Sequence, residues 1–412
     1  MNYFEYHDGE LWAEAVAVSE LAAQYGTPLY IYSAKTLTRH FRAFDNSLAG
    51  LAHLTCFSAK ANSNLSLLRL LGELGAGVDI VSGGELYRAL AAGIDPRKIV
   101  FSGVGKQDHE IEQALDAQIL MFNVESVQEL ERIGAIAQRK HAVAHVGMRI
   151  NPDVDPKTHP YISTGLRKNK FGLDMLEAAG AYSMAAKHPA LDPVGMDCHI
   201  GSQLTQIAPF TEALEKLLAF SGRLQASGID IRYLDLGGGL GITYDEECPP
   251  LPQELGRAIV NSLSGRELTV ILEPGRAIAG NAGILVTRVI YTKTRPAKNF
   301  VIVDAGMNDL VRPSLYQAFH RIGEVIPQGR EKHTMDVVGP ICESSDFLAQ
   351  ERSLPAVRPG ELLAVFSAGA YGFSMSSQYN ARPRAAEVIV DGEKVVLARR
   401  RETYKDLVAL EL

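Results

Sequence analysis

Between residues 54 and 276 the chain repeatedly writes a short apolar run and stops it on a polar or glycine-rich cluster. The runs are LTCFSAK, VDIVSGG, IVFSGVGK, ILMFNVES, VGMRINPD, VGMDCHIGS, YLDLGGGLG and TVILEPGR. Each is rich in Val, Ile, Leu or Phe and too short for a buried helix, so each predicts a strand. Between them apolar residues recur three and four apart, as at Leu65, Leu67, Leu68, Leu71 and Leu74, or at Ile111, Ala114 and Leu115. That spacing gathers them on one side of a helix. Apolar strands buried on both faces and alternating with helices imply a parallel sheet. Eight such units in about 220 residues are what a closed (β/α)8 barrel needs, with an open doubly wound sheet as the alternative.

After residue 280 the texture changes to alternating runs, GILVTRVIYTK, FVIVDAG, MDVVGP, ELLAVFSAG and AAEVIVDGEKVVLARR, separated by Gly, Pro and Asp turns. This half is predicted to be all β. Near the start, FEYHDGELW predicts a hairpin that returns to it, because chain ends often lie close together. The barrel is placed at residues 27–278, with the β domain at 1–26 and 279–412. A chain of 412 residues is too long for one core, which agrees with two domains. The net charge of -7 disfavours nucleic acid or an anionic membrane as main partner, leaving a small molecule. No run approaches the ~18 apolar residues of a membrane span, and the acidic start is unlike a signal peptide, so a cytoplasmic protein is expected. Cys56, Cys198, Cys248 and Cys342 lack metal-site spacing and are expected to be reduced thiols. No metal is expected, since no His-x-His ends a strand.

In such barrels the active site collects at the carboxyl ends of the strands. The run ends there supply Lys60, Asp79 with Ser82, Ser102, Asn123 with Glu125, Arg149, His199 with Ser202, Gly237, Gly238 and Gly239, and Glu273 with Arg276. A lysine among desolvating walls becomes an imine-forming nucleophile, although most lysines are only surface charges. Consecutive glycines let backbone N–H groups converge on an anion, or simply make a tight turn. A dinucleotide fingerprint would need glycine where Ile242 stands, and no triphosphate-binding G-x-x-x-x-G-K motif occurs. Lysine, phosphate cradle and the carboxylate of Glu273 together describe a pyridoxal phosphate site, the acid keeping the pyridine nitrogen protonated. His199 either lies against the ring or is a core histidine.

The motifs SAKANSNLSLLRLL, DIVSGGELYRAL, FSGVGK, RINPDVDPKTHPYISTG, NKFG, HIGSQ, LDLGGGLGI, EPGRAIAGNAG, VDAGMNDLVRPSLYQAFH, VGPICESSDFLAQ and the stretch from Ser367 to Glu387 closely resemble, in order, the diaminopimelate decarboxylase family. The resemblance implies a fold type III pyridoxal phosphate enzyme, a barrel followed by a β domain, acting as a homodimer on meso-diaminopimelate to give L-lysine. It implies that Lys60 holds the cofactor covalently, that His199 stacks on it and that Glu273 pairs with its ring nitrogen. Cofactor contacts would include Asp79, Ser202, Gly237, Gly238, Gly239, the segment Glu273, Pro274, Gly275, Arg276, and Tyr371. Arg276, Arg312, Tyr316 and Tyr371 would bind substrate carboxylates, Glu343 the distal ammonium, and Cys342 would donate a proton. The Cys342–Glu343 pair would serve the neighbouring copy's site. Read alone, Arg312 and Glu343 would pass for surface charges and Cys342 for a packed thiol. Phe57 departs from the family's more frequent tyrosine, removing a hydroxyl near the site. The segment STGLRKNKFG is either a mobile lid or a solvated loop. The nearest alternative is a decarboxylase of ornithine or arginine on the same scaffold. A racemase of this fold favours arginine at the ring nitrogen, where this chain has Glu273. A non-enzymatic cofactor carrier would need neither C-E-S nor the β half.

Overall fold

All eight apolar runs form strands, and parallel pairing closes them into a barrel. The strands are β1 (His53–Ser58), β2 (Gly77–Ile80), β3 (Ile99–Phe101), β4 (Met121–Val124), β5 (Ala144–Arg149), β6 (Leu191–Asp197), β7 (Tyr233–Asp235) and β8 (Thr269–Leu272). Closure is made where Val270, Ile271 and Leu272 pair with His53, Leu54 and Thr55. The computed structural model describes residues 2–155 and 170–411. One compact unit is the barrel, residues 40–242 and 248–277; the other comprises residues 1–39, 243–247 and 278–412.

Inside the barrel Cys56, Val100, Met121, Val194 and Ile271 pack as an apolar plug. The helices bury the periodic positions: Leu67, Leu68 and Leu71 in Leu65–Glu73, and Ile111, Ala114 and Leu115 in Asp108–Ala117. Leu65, at the open first turn, stays exposed. Several helices begin on a side chain that accepts an orphan backbone N–H: Asn64 from Ser66, Ser82 from Glu85 and Ser126 from Glu129.

In the second unit a nine-stranded sheet follows the alternating runs of the C-terminal half. Strand Leu29–Ser33 lies inside this sheet, antiparallel to Gly283–Arg295 and parallel to Ala386–Asp391. The range 27–278 expected for the barrel takes in this strand, which instead belongs to the other unit. All five residues of LYIYS are buried, so a central strand of this sheet has the same unbroken apolar signature as a barrel strand. The hairpin forms between Phe4–His7 and Glu10–Ala13, with Asp8 and Gly9 at φ 50 and 79 in a two-residue turn. Leu11 N–H donates to the Val325 carbonyl at 2.7 Å and Tyr6 Oη to that of Glu324 at 2.6 Å. Leu11, Leu29, Ile31, Val286, Val325 and Val388 share this unit's core. Among the described residues no helix is long and apolar enough to cross a membrane.

Candidate active site

Strand β1 delivers Ser58 at its end and Lys60 in the tight turn Ala59–Ala61. Lys60 Nζ lies 3.0 Å from Oδ2 of Asp79, a fully buried residue of β2. Ser58 Oγ is 2.9 Å from the same carboxylate oxygen and 2.9 Å from the Glu273 carbonyl oxygen, tying β1 and β2 to the end of β8. The lysine side chain is 33% exposed, so its amine is oriented yet reachable.

Glu273 follows β8 and is buried. Its Oε1 is 3.3 Å from Ser102 Oγ and 3.5 Å from Asn123 Nδ2, and that amide also donates to Asp235 Oδ2 at 3.0 Å. One oxygen each from Asp197, Asp235 and Glu273 falls within 4.8 Å of the others. Burial, and then the mutual repulsion of these carboxylates, pushes Glu273 and Asp197 well above the usual carboxylate range. Asp235 rises to about 6, chiefly through burial, with hydrogen bonds to Glu273, Gly237 and Asn123 acting against it. Arg149, at the end of β5, partly offsets the cluster: it bonds Glu125 Oε1 at 2.6 Å and approaches Asp197 Oδ2 at 3.8 Å. The result is a dry acid group that holds protons readily.

His199 Nδ1 accepts the Gly238 N–H at 3.1 Å. Burial, followed by the charges of Arg149 and Lys60, holds this imidazole well below its usual pKa, so it is uncharged with its proton on Nε2. The glycine turn is tighter than its sequence suggested. Gly237 and Gly239 take φ 64 and 110, and a Cβ on Gly238 or Gly239 would run into the carbonyl oxygens of Glu273 or Gly201. Two of its three N–H groups are committed within the protein, Gly237 to Asp235 Oδ1 at 2.9 Å and Gly238 to His199. Beside Gly201 in the chain, Ser202 Oγ accepts from the Arg276 guanidinium at 3.1 Å. A Cβ on Gly275 would sit 3.0 Å from those of Ser58 and Ala61, so the Glu273–Arg276 segment, with Pro274, packs on the Lys60 turn. A reachable amine, a dry acid, an uncharged imidazole and a rim of hydroxyl, guanidinium and amide suit pyridoxal phosphate.

Arg312, Tyr316, Cys342, Glu343 and Tyr371 belong to the second unit. Arg312 is buried at the start of the short helix Arg312–Tyr316, whose last residue, Tyr316, is half-buried. Tyr371 is half-buried with a left-handed backbone, φ 55. Cys342 and Glu343 are both exposed. Asn380 Oδ1 accepts the Cys342 N–H at 2.7 Å, Tyr379 Oη donates to Glu343 Oε1, and Asp346 Oδ2 accepts Ile341 N–H at 2.6 Å. Ser82, gathered with the run ends, is a helix cap rather than a member of the cluster. Most of STGLRKNKFG lies outside the described residues; at its end Gly172 N–H donates to Glu125 Oε2 at 2.8 Å. Sequence reasoning missed Asp197, Asp235 and Ser58, as well as Tyr379, Asn380 and His320. A lone acid within an apolar run, as in VGMDC and YLDLG, was the available signal for the first two.

Residues 34–280 match the family model of the pyridoxal-dependent decarboxylase, pyridoxal binding domain. A diaminopimelate decarboxylase of Vibrio cholerae is 56% identical over 413 aligned residues, covering 100% of this chain and 99% of the relative. The crystal structure of diaminopimelate decarboxylase from Helicobacter pylori complexed with L-lysine superposes with a TM-score of 0.92 at 47% identity, covering 95% of this chain and 98% of that one. The enzyme of M. jannaschii, also in complex with L-lysine, gives a TM-score of 0.93 at 42% identity, covering 99% of this chain and 97% of that one. On motifs, barrel and full-length likeness alike, the chain belongs to the diaminopimelate decarboxylase family of pyridoxal-dependent decarboxylases.

Proposed function

We propose that the protein is a cytoplasmic, homodimeric pyridoxal phosphate enzyme that decarboxylates meso-2,6-diaminopimelate to L-lysine and carbon dioxide, the last step of lysine biosynthesis. The observation that carries this reading is the 3.0 Å contact of Lys60 Nζ with buried Asp79, next to the acid cluster around Glu273. When bound, pyridoxal phosphate supplies an aldehyde for an amine and a protonated ring that takes up the electron pair left by departing carbon dioxide.

Lys60 Nζ would be the amine for that aldehyde, with Asp79 fixing its direction. Glu273 would accept the ring nitrogen's N–H as a carboxylate, and the same crowding of acids that makes its own negative charge costly would favour a cation at that nitrogen. His199 would face the ring as an uncharged plate, adding no positive charge to oppose the ring's own. Ser202, the Gly237, Gly238 and Gly239 turn, the segment Glu273, Pro274, Gly275 and Arg276, and the Tyr371 hydroxyl would hold the phosphate. Arg276, Arg312, Tyr316 and Tyr371 would bind substrate carboxylates, and Glu343 the distal ammonium. The Cys342 thiol would give the α carbon the proton that takes the place of the lost carboxyl group.

Arginine at the distal end favours diaminopimelate over ornithine: it holds a carboxylate through two parallel bonds and repels a bare ammonium. The exposure of Cys342 and Glu343 supports a role in a partner copy's site. The test is to supply purified protein and pyridoxal phosphate with meso-diaminopimelate, ornithine, arginine or lysine in parallel. Lysine and carbon dioxide from diaminopimelate alone is the expected outcome; carbon dioxide from another amino acid and none from diaminopimelate would refute the assignment.

A further inference from the structure

His320 is fully buried. Its Nδ1 lies 2.9 Å from the Phe366 carbonyl oxygen and its Nε2 lies 2.8 Å from Nη1 of Arg312. A carbonyl oxygen only accepts and a guanidinium nitrogen only donates. Both bonds therefore require one state of the ring: hydrogen on Nδ1, lone pair on Nε2, no charge. A second proton, on Nε2, would set two cations against each other in a buried place. The local chain explains the meeting. The helix Arg312–Tyr316 ends on Gln317, whose left-handed φ of 53 turns the backbone so that His320 comes back to the helix start. The Tyr244 ring lies over the guanidinium with its centroid 4.6 Å from Cζ, and meets the His320 ring edge-on at 5.3 Å. The carbonyl of His320 is itself held by Arg352 Nη1 at 2.9 Å.

We infer that His320 is a positioning residue for carboxylate binding: as a neutral acceptor it helps fix the direction of the Arg312 guanidinium without itself neutralising the charge that a substrate carboxylate would meet. A carboxylate at the same place would orient the guanidinium and also neutralise it. This inference rests on the reading of Arg312 as a substrate ligand.

Two amide substitutions separate the functions of the ring's two nitrogens, since glutamine can place its oxygen near Nε2 and asparagine reaches only as far as Nδ1. In the holoenzyme, His320→Asn is expected to raise KM for meso-diaminopimelate about 10-fold or more, with kcat and cofactor absorbance changing far less. His320→Gln should raise KM several-fold less. Calorimetric binding of L-lysine should follow the same order. Arg312→Met should raise KM by itself, and adding His320→Asn to it should make KM no worse. Equal KM values for the Asn and Gln variants, or additive losses in the double variant, would overturn the inference while leaving Arg312 as a ligand. An Arg312→Met enzyme of unchanged KM would overturn both. Nitrogen-15 imidazole spectra of the unmodified protein give a reading that needs no variant: the Nδ1–H tautomer is expected at neutral pH, and a doubly protonated ring would end the case.

Discussion

Replacing Gly237 with alanine should damage cofactor binding through His199. The new Cβ would stand 2.6 Å from His199 Nδ1 and 3.0 Å from both His199 Cβ and the Cys198 carbonyl oxygen, where ordinary contacts begin near 3.4 Å. Gly237 cannot give way, because its N–H is bonded to Asp235 and its carbonyl accepts Glu273 N–H at 2.8 Å. The imidazole must therefore move by roughly 1 Å and lose its bond from Gly238, a close-packed site's usual response to an added methyl. Overpacking of this kind costs about 1–3 kcal/mol, and the left-handed φ of 64 adds about 1 kcal/mol for a residue with a Cβ. Gly265→Ala is the control: its φ of 79 is similar, yet nothing lies within 4 Å of the added carbon. Urea denaturation of the two apoproteins, with pyridoxal phosphate titrations followed by absorbance, reads both effects. Gly265→Ala should lose only the backbone part and bind cofactor as the parent does. Gly237→Ala should be less stable still and bind cofactor at least ten-fold more weakly, as ~1.4 kcal/mol of the strain falling on the bound state suffices for that. Equal behaviour of the two variants would refute the argument.

Asp235 makes a test of the dry acid cluster. Its carboxyl is raised from 3.8 to about 6, so the folded apoprotein keeps a proton that the unfolded chain has released, and stability from this source is lost as pH rises from about 4 through about 6. Asp235→Asn should therefore gain on the parent by roughly 2–3 kcal/mol across that interval in pH-dependent urea melts; a flat or opposite difference would contradict burial of these acids. Cys342→Ala should keep the cofactor and form lysine at least about 100-fold more slowly, the scale of losing a positioned proton donor, and unchanged turnover would remove the thiol from the reaction. Tyr379→Phe removes the hydroxyl that Glu343 accepts; KM for meso-diaminopimelate should rise a few-fold with kcat nearly constant, and a fall in kcat alone would argue against a binding role for Glu343.

The barrel was legible because a parallel strand buried on both faces leaves an unbroken apolar run, and each run ended where the chemistry stood. Leu29–Ser33 fell within the range 27–278 placed as barrel, yet its five buried residues join the sheet of the other unit, and burial alone gives no hint of which sheet a strand joins. Lys60, His199 and Glu273 were visible as run-end residues. Asp197 and Asp235 were not, since each ends its strand but lies within a longer apolar run, and their convergence depends on the side-by-side pairing of β6, β7 and β8. The glycine turn could be seen, but not that Asp235 and His199 had already claimed two of its N–H groups. Partners brought together by the β unit's folding, such as His320 with Arg312 or Asn380 with Cys342, leave no periodic trace at all.

The most direct test of the account is chemical. The holoenzyme is reduced with borohydride, digested and mapped by mass spectrometry. The phosphopyridoxyl mass is predicted on the peptide that contains Lys60, and in Lys60→Ala that label and the visible absorbance of bound cofactor should both vanish while the fold persists. A label on a different lysine, or a Lys60→Ala protein that still carries one, would contradict the central claim.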